Sequence, residues 1–162
     1  MERWFLELRA PVLQYLRNVG CGEPLAEEIA QEAFLRLHQR LIGGLQADNV
    51  RGWIFRVVRN LWIDTTREHQ RYGMPAQNDQ NRWHHTARDS APDPERQVLD
   101  RELVRIIERE TLRLPTLQRE CMRLKAQGLR YHEIAAVLNI PMPAAVYAVR
   151  RAVERLKRFL DR

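Results

Sequence analysis

The sequence predicts an all-α protein made of two small helical domains joined by a flexible linker. Apolar residues recur at three-and-four spacing through both ends of the chain, which is typical of amphipathic helices. Between residues 71 and 93 this period is lost, and Gln, Asn, Asp, Pro and His dominate. With 162 residues, 44% of them apolar, the chain can build one domain or two small ones. We therefore expect domains at 1–70 and 94–162, with the linker at 71–93.

The amino-terminal part predicts three helices separated by turn-forming residues. The first covers Glu2–Asn18, as one helix or two half-helices because Pro11 lies inside it. Its apolar stripe consists of Trp4, Phe5, Leu8, Val12, Leu13 and Leu16. The second covers Leu25–Leu41, and the third covers Asn49–Arg71.

The third predicted helix has two different faces. An apolar stripe is formed by Ile54, Val57, Val58, Leu61 and Trp62. The opposite face carries Arg56, Arg59, Asn60 and Arg67 over about 16 Å of helix. Such a row suits contacts with phosphates and bases. The alternative is a solvated arginine face on an ordinary bundle helix.

The second predicted helix also has two faces. Its core stripe is Ala26, Ile29, Ala30, Ala33, Phe34, Leu37 and Leu41. On the opposite side lie Glu28, Gln31, Glu32 and Leu35, which form an acidic and amide patch beside an exposed leucine. This outer face indicates a docking site for a basic partner surface, and the alternative is again a solvated face.

The carboxy-terminal part predicts four helices. The first begins with Asp93 as its cap and Pro94 in its first turn, and ends near Arg113. A short helix follows from Thr116 to about Ala126 and ends at Gly128, and another contains YHEIAAVL. After a turn at 139–141, a last helix runs from Pro143 to about Leu160, so the final three elements predict a helix-turn-helix unit. Its exposed residues are expected to be Tyr147, Arg150, Arg151, Arg155, Lys157 and Arg158.

Charge and composition narrow the function classes. The net charge is +6, and residues 101–162 carry 14 basic against 7 acidic residues, which indicates a polyanionic partner such as nucleic acid. No apolar run approaches the length of a membrane span, and no signal peptide is expected, so we predict a cytoplasmic protein. Cys21 and Cys121 are isolated, so neither a disulfide framework nor a zinc site is expected. No phosphate-binding glycine loop or nucleophile with a base is recognisable, so an enzyme is not expected.

Three motifs, in this order, resemble those of the extracytoplasmic-function (ECF) sigma factors of bacterial RNA polymerase. They are AEEIAQEAFLRLHQRL, NVRGWIFRVVRNLWIDTTR and LPTLQRECMRLKAQGLRYHEIAAVLNIP. The resemblance covers nearly the whole chain except the linker. It implies that residues 1–70 are sigma region 2, a helical bundle, and that residues 94–162 are sigma region 4, a helix-turn-helix domain.

The resemblance also implies roles for particular residues. Glu28, Gln31 and Glu32, with Leu35 beside them, match the signature that docks on core RNA polymerase. The loop at 43–52 matches the segment that captures a flipped base of the minus-ten promoter element, and Arg56, Asn60 and Arg67 match positions facing the melted strand. Region 4 is implied to read the minus-thirty-five element of promoter DNA. No cofactor is implied, and an anti-sigma factor that clamps the two domains is left open as a further partner.

The last helix departs from the family pattern. Val146, Tyr147 and Ala148 stand where the family usually has Lys, Ser and Arg, and Arg130 stands where it often has a helix-capping Ser. Each lost bidentate base contact would forfeit about 1–3 kcal/mol of discrimination. Either Tyr147, Arg150 and Arg151 read an unusual element, or this domain holds DNA weakly. The alternative function is a sigma-derived adaptor for protein interaction that has lost sequence-specific promoter recognition.

Overall fold

A computed structural model describes the backbone of residues 1–72 and 94–160, with the side chains of 1–72 and 102–160. Every regular element in these ranges is helical. The helices are α1 (Glu2–Asn18), α2 (Glu23–Ile42), α3 (Val50–Arg71), α4 (Pro94–Leu112), α5 (Thr116–Ala126), α6 (Tyr131–Leu138) and α7 (Met142–Leu160), with a 3-10 turn at Ala47–Asn49 before α3. The all-α prediction is therefore confirmed. Residues 73–93, which make up most of the predicted linker and include the predicted cap Asp93, lie outside the described residues, whereas Arg71 still belongs to α3.

Helices α1 to α3 pack on one another as the amino-terminal domain. The predicted α2 stripe is confirmed, because all its members are buried except Leu41, which is half-buried. Pro11 does not divide the first element, and α1 is a single helix. Phe5, which was predicted for the core, is 40% exposed, although its ring contacts that of Phe34 at a centroid distance of 5.0 Å.

Helices α4 to α7 form the carboxy-terminal domain, in which α7 contacts each of the other three. Gly128 after α5 has a φ of 82°, the left-handed conformation predicted for a helix end. Asn139 after α6 has a φ of 54°, which a short polar side chain tolerates better than most, and it starts the turn into α7. The helix-turn-helix unit of α6 and α7 is confirmed.

Helix α3 buries a different set of residues from the stripe that its period predicted. Ile54 and Val58 are buried as expected, whereas Val57, Leu61 and Trp62 are only half-buried. Phe55, absent from the predicted stripe, is fully buried, and its ring meets that of Tyr15 edge to face. Phe55 therefore packs against α1, and α3 as a whole contacts α6 of the second domain as well as α1 and α2.

The two domains share one apolar core in the described structure. A continuous cluster of buried residues extends from Leu8 in α1 to Val149 in α7. Polar contacts cross the boundary as well: Arg51 Nη1 donates to the carbonyl of Gln127 at 2.9 Å. The sequence predicted two domains joined by a linker, and it gave no sign of this direct contact between them.

Candidate nucleic-acid interface and docking face

The outer face of α2 presents the predicted docking residues together. Glu28 and Gln31 are exposed, and Leu35 is 56% exposed. Glu32 is half-exposed and accepts a hydrogen bond from Arg36 Nε at 2.6 Å, one helical turn further along. The opposite face of the same helix is buried, so these four side chains form an open polar surface with one apolar member. We call Glu28, Gln31, Glu32 and Leu35 the α2 docking face.

An apolar groove adjoins the α2 docking face. It has a volume of about 490 Å³ and lies between α1 and α2. Its lining includes Met1, Phe5, Gln31, Phe34 and Leu35. The docking face therefore continues into a concave apolar surface, which a partner side chain could fill. Sequence reasoning missed this groove because it placed Phe5 in the core.

The nucleic-acid row of α3 is only partly open. Arg56, Asn60 and Arg67 are exposed on the same side of the helix, as predicted. Arg59 is half-buried and turns toward α5, where its Nε lies 4.0 Å from Glu120 Oε2. The structure thus brings three of the four predicted side chains together, and it directs Arg59 toward the carboxy-terminal domain.

A polar cluster surrounds Arg59 at the domain boundary. Glu120 accepts a hydrogen bond from Arg123 Nη1 at 2.8 Å, and both residues belong to α5. Burial, followed by the nearby Glu120 carboxylate, raises the pKa of the Tyr15 hydroxyl, so this group stays protonated in the fold. Charges from both domains therefore meet at one junction of α1, α3 and α5.

The basic face of α7 is open in part. Tyr147 is 61% exposed, and Arg150 and Arg155 are exposed. Arg151 is half-buried, donates to Glu154 Oε2 at 3.2 Å, and lies 6.0 Å from the Tyr147 ring centroid. The structure therefore presents Tyr147 and Arg150 freely and ties Arg151 to a neighbouring carboxylate.

Two residues of the departing segment face inward. Ala148 is buried, and Val146 is half-buried. A buried alanine in this position packs the helix against its own domain and offers no side chain to a base. Of Val146, Tyr147 and Ala148, Tyr147 is the one that stands exposed.

Sequence reasoning also missed Glu133 and its contacts across the boundary. Glu133 Oε1 accepts the backbone N–H of Gly52 at 3.2 Å, and its Oε2 accepts that of Arg130 at 2.7 Å. The spacing from Arg130 to Glu133 matches half of a capping box, which could have predicted the second bond. Nothing in the sequence pattern signals the bond between Gly52 and Glu133, because Gly52 lies in the other domain.

The residues of the described ranges also bear on two further kinds of site, a metal centre and a membrane span. Within them, no group of three or more His, Cys, Asp or Glu side chains could hold a metal ion. Both cysteines are free thiols in the buried core. Taken one at a time, the helices of these ranges fall short of a membrane span in length or in apolar character, and α6 and α7 meet both requirements only as a pair bent by 106°.

Two family models match the chain in the order of its domains. The one described as Sigma-70 region 2 matches residues 4–72, and the one described as Sigma-70, region 4 matches residues 105–156. The first match spans nearly all of α1 to α3, and the second begins within α4 and ends within α7.

Three curated relatives of the chain are ECF RNA polymerase sigma factors. The ECF RNA polymerase sigma factor SigE of Mycolicibacterium smegmatis is 30% identical over 137 residues, which cover 83% of this chain and 51% of that protein. SigM of Bacillus subtilis, also an ECF RNA polymerase sigma factor, is 28% identical over 152 residues, which cover 93% of this chain and 89% of SigM. The ECF RNA polymerase sigma factor SigW of the same organism is 30% identical over 141 residues, which cover 83% of this chain and 75% of SigW. The chain thus spans about half the length of SigE and most of SigM and SigW.

Solved structures share the fold. The sigma factor RpoE from Bartonella quintana, in complex with the anti-sigma factor NepR, aligns with a TM-score of 0.66 at 20% identity, covering 99% of this chain and 95% of that one. CnrH, in complex with the cytosolic domain of CnrY, aligns with a TM-score of 0.59 at 22% identity, covering 99% and 86%. With both sigma regions matched in order and relatives of the same description at up to 30% identity, the chain belongs to the ECF family of bacterial RNA polymerase sigma factors.

Proposed function

We propose that the chain binds core RNA polymerase through the α2 docking face and directs it to specific promoters. The observation that carries this proposal is the grouping of Glu28, Gln31, Glu32 and Leu35 on one open side of a helix whose other side is buried. Two carboxylates and an amide complement a basic surface, and the exposed Leu35 adds an apolar anchor beside the groove.

For DNA, the proposal assigns strand separation to α3 and the loop before it. Arg56, Asn60 and Arg67 follow one exposed side of α3, where they can contact the phosphates and bases of an unpaired strand. Unstacking costs a few kcal/mol per base, and phosphate contacts with a base pocket at 43–52 offset that cost. This role requires positioning and charge alone, with no reaction catalysed by the chain and no cofactor.

The α7 helix is proposed to hold duplex DNA upstream of the melted region. Tyr147, Arg150 and Arg155 are exposed on it and supply a planar ring and two cations. This role places the chain in the cytoplasm. A partner of the anti-sigma class, such as the NepR bound to RpoE, is part of the same proposal.

A second candidate function follows from the inward-facing part of α7. Because Ala148 is buried and Arg151 is paired with Glu154, fewer side chains are free to read bases than the length of the helix suggests. A sigma-derived adaptor, which binds polymerase without recognising specific promoters, would need no further base-reading side chains on α7.

Run-off transcription separates the two candidates. Core polymerase would be mixed with the purified chain on fragments of genomic DNA, and the transcript starts would be mapped by sequencing. A promoter-specific sigma factor yields discrete starts that are absent without the chain. An adaptor co-purifies with core polymerase and yields no such starts, and that result would reject promoter recognition.

A further inference from the structure

The first half of α7 presents a mostly uncharged surface to solvent. In a helix-turn-helix unit, the first turns of the second helix contact base edges in the major groove. Of residues 142–151, all of which the structure describes, the exposed ones are Met142, Pro143, Tyr147 and Arg150. Arg150 is the one cation among these four. Base contacts from this half of α7 must therefore come mainly from apolar and aromatic groups.

Tyr147 projects from this surface because its neighbours are short or covered. Ala144 and Val146 are half-buried, and Ala148 is buried. Pro143 lies one turn earlier on the same side of the helix. Tyr147 itself is 61% exposed. Its ring can therefore enter a groove without competition from the side chains beside it.

Arg151 and Glu154 support the Tyr147 ring from the next turns of α7. The Arg151 guanidinium carbon lies 6.0 Å from the ring centroid, at the outer limit of cation–π attraction. Arg151 Nη1 donates to Glu154 Oε2 at 3.2 Å. Spacings of four and three residues place the three side chains on one side of the helix. Because the carboxylate holds the guanidinium beside the ring, Arg151 is less available to a DNA phosphate.

Thymine is the base whose major-groove edge suits an aromatic ring. It carries an apolar 5-methyl group there, whereas guanine, adenine and cytosine present hydrogen-bonding groups. Bidentate recognition of a purine takes Arg, Lys, Asn or Gln, and Arg150 alone among the exposed residues of 142–151 is of these types. The surface around Tyr147 therefore favours thymine.

We propose that Tyr147 is the specificity-determining residue of α7, that its ring contacts the 5-methyl group of a thymine in duplex DNA, and that Arg151 and Glu154 position this ring. The proposal rests on the function proposed above for α7, and it names the base that this helix reads. Arg150 supplies a phosphate contact, which adds affinity without choosing the base.

Removal of the methyl group from the DNA tests this proposal. Duplexes that bind the full chain would be selected from a random library, with the chain alone and with the chain bound to core polymerase. In the enriched duplex each thymine would be replaced in turn by deoxyuridine, which pairs in the same way but lacks the 5-methyl group. Fluorescence anisotropy would measure the affinity of the wild type, Tyr147→Phe and Tyr147→Ala. Tyr72→Ala, at an exposed tyrosine of the other domain, is the control.

Thymine recognition predicts that one replacement lowers the affinity of the wild type about fourfold, the effect of losing one buried apolar carbon. Tyr147→Phe keeps the ring and should keep this loss, as should Tyr72→Ala. Tyr147→Ala should bind both duplexes equally, with unchanged helicity by circular dichroism. The proposal is overturned if no thymine is enriched, if Tyr147→Ala still responds to the methyl group, or if Tyr147→Phe does not.

Glu154→Gln tests the positioning of the ring. Without the carboxylate, Arg151 can neutralise a phosphate, so the slope of log affinity against log salt should steepen by about 0.9. The dependence on the methyl group should shrink at the same time, because the ring loses its support. Glu102→Gln makes the same change on the exposed side of α4 and should alter neither quantity. Full methyl dependence in Glu154→Gln would overturn the positioning role.

This proposal and the proposed function can fail independently. Discrete transcript starts without an enriched thymine would keep the proposed function and reject the role of Tyr147. A thymine-dependent duplex without discrete starts would reject promoter-directed initiation and keep the role of Tyr147.

Discussion

The ring of Tyr15 meets the ring of Phe55 edge to face, with centroids 5.6 Å apart and planes at 85°. Both side chains are almost fully buried, and both lie where α1, α3 and α5 converge. The Tyr15 hydroxyl has no hydrogen-bond partner among the residues described. The pair thus combines favourable aromatic packing with a buried polar atom that gains nothing from the fold.

Replacing Tyr15 with phenylalanine should therefore stabilise the protein. The ring packing is kept, and an unsatisfied hydroxyl that costs about 1–3 kcal/mol on burial is removed. We expect the free energy of unfolding in urea to rise by about 1 kcal/mol. Tyr72→Phe, at a position 80% exposed, should change it little. A loss of stability in Tyr15→Phe would mean that the hydroxyl has a partner in solution.

Phe55→Ala tests the same contact from the other side. The substitution leaves a cavity beside Tyr15 and should lower the free energy of unfolding by about 3–5 kcal/mol. Phe55→Leu fills part of that space and should cost less. Chemical denaturation followed by circular dichroism measures both variants, and equal stability of Phe55→Ala and wild type would show that the site is not packed as described.

Charge reversal on the α2 docking face should abolish binding to core polymerase. Glu28→Lys with Glu32→Lys replaces two carboxylates by cations on an open surface, so a basic partner surface would be repelled. Helicity should be unchanged, since each reversed group lies on the solvent side. Affinity capture of core polymerase measures the effect.

The control for this experiment is Glu2→Lys with Glu7→Lys on α1. It makes the same charge change in the same domain, and Glu7 pairs with Arg3 much as Glu32 pairs with Arg36. The control should retain binding. Retained binding in the Glu28/Glu32 variant would reject the docking assignment.

The helices were predictable because each one carries its own period. The stripe and the outer face of α2 follow from the spacing of Ala26, Ile29 and Ala33 along one helix, with no knowledge of any partner. The same holds for the turn at Asn139, where a short polar side chain tolerates the left-handed conformation. Local chemistry was sufficient in both places.

Contacts between distant segments were not predictable in this way. Phe55 lay outside the predicted stripe of α3 and Arg59 lay on its predicted polar face, yet the Phe55 ring packs against Tyr15 of α1 and Arg59 is directed toward Glu120 of α5. Glu133 has the sequence signature of a capping glutamate, and its bond to Gly52 depends on how the domains pack. Ala148 matched a DNA-contact position in the family pattern, yet the packing of α7 places it inside.

Alkaline conditions should destabilise the fold through its two buried thiols. Burial raises the pKa of Cys121 to about 11 and that of Cys21 to about 12. An exposed thiol in the unfolded chain has a pKa of about 8.5. Below that pH the thiols add no pH dependence; as pH rises from there toward 11, the unfolded chain loses protons that the fold retains, so stability falls. Unfolding in urea at pH 8, 9 and 10 should show this fall, and Cys21→Ala with Cys121→Ala should flatten it. An equal slope in that variant would assign the fall to other groups.

Substituting Arg150 and Arg151 with alanine should weaken duplex DNA binding and flatten its dependence on salt. Each lysine or arginine that neutralises a phosphate contributes about 0.9 to the slope of log affinity against log salt. Arg150 is exposed, whereas Arg151 is paired with Glu154, so Arg150→Ala alone should produce more of the change than Arg151→Ala alone. Arg105→Ala with Arg109→Ala on α4 removes the same charge from another exposed surface and should leave the slope nearly intact. Titration by fluorescence anisotropy at several salt concentrations measures these slopes, and a slope that does not change in the Arg150/Arg151 variant would place the DNA contact elsewhere.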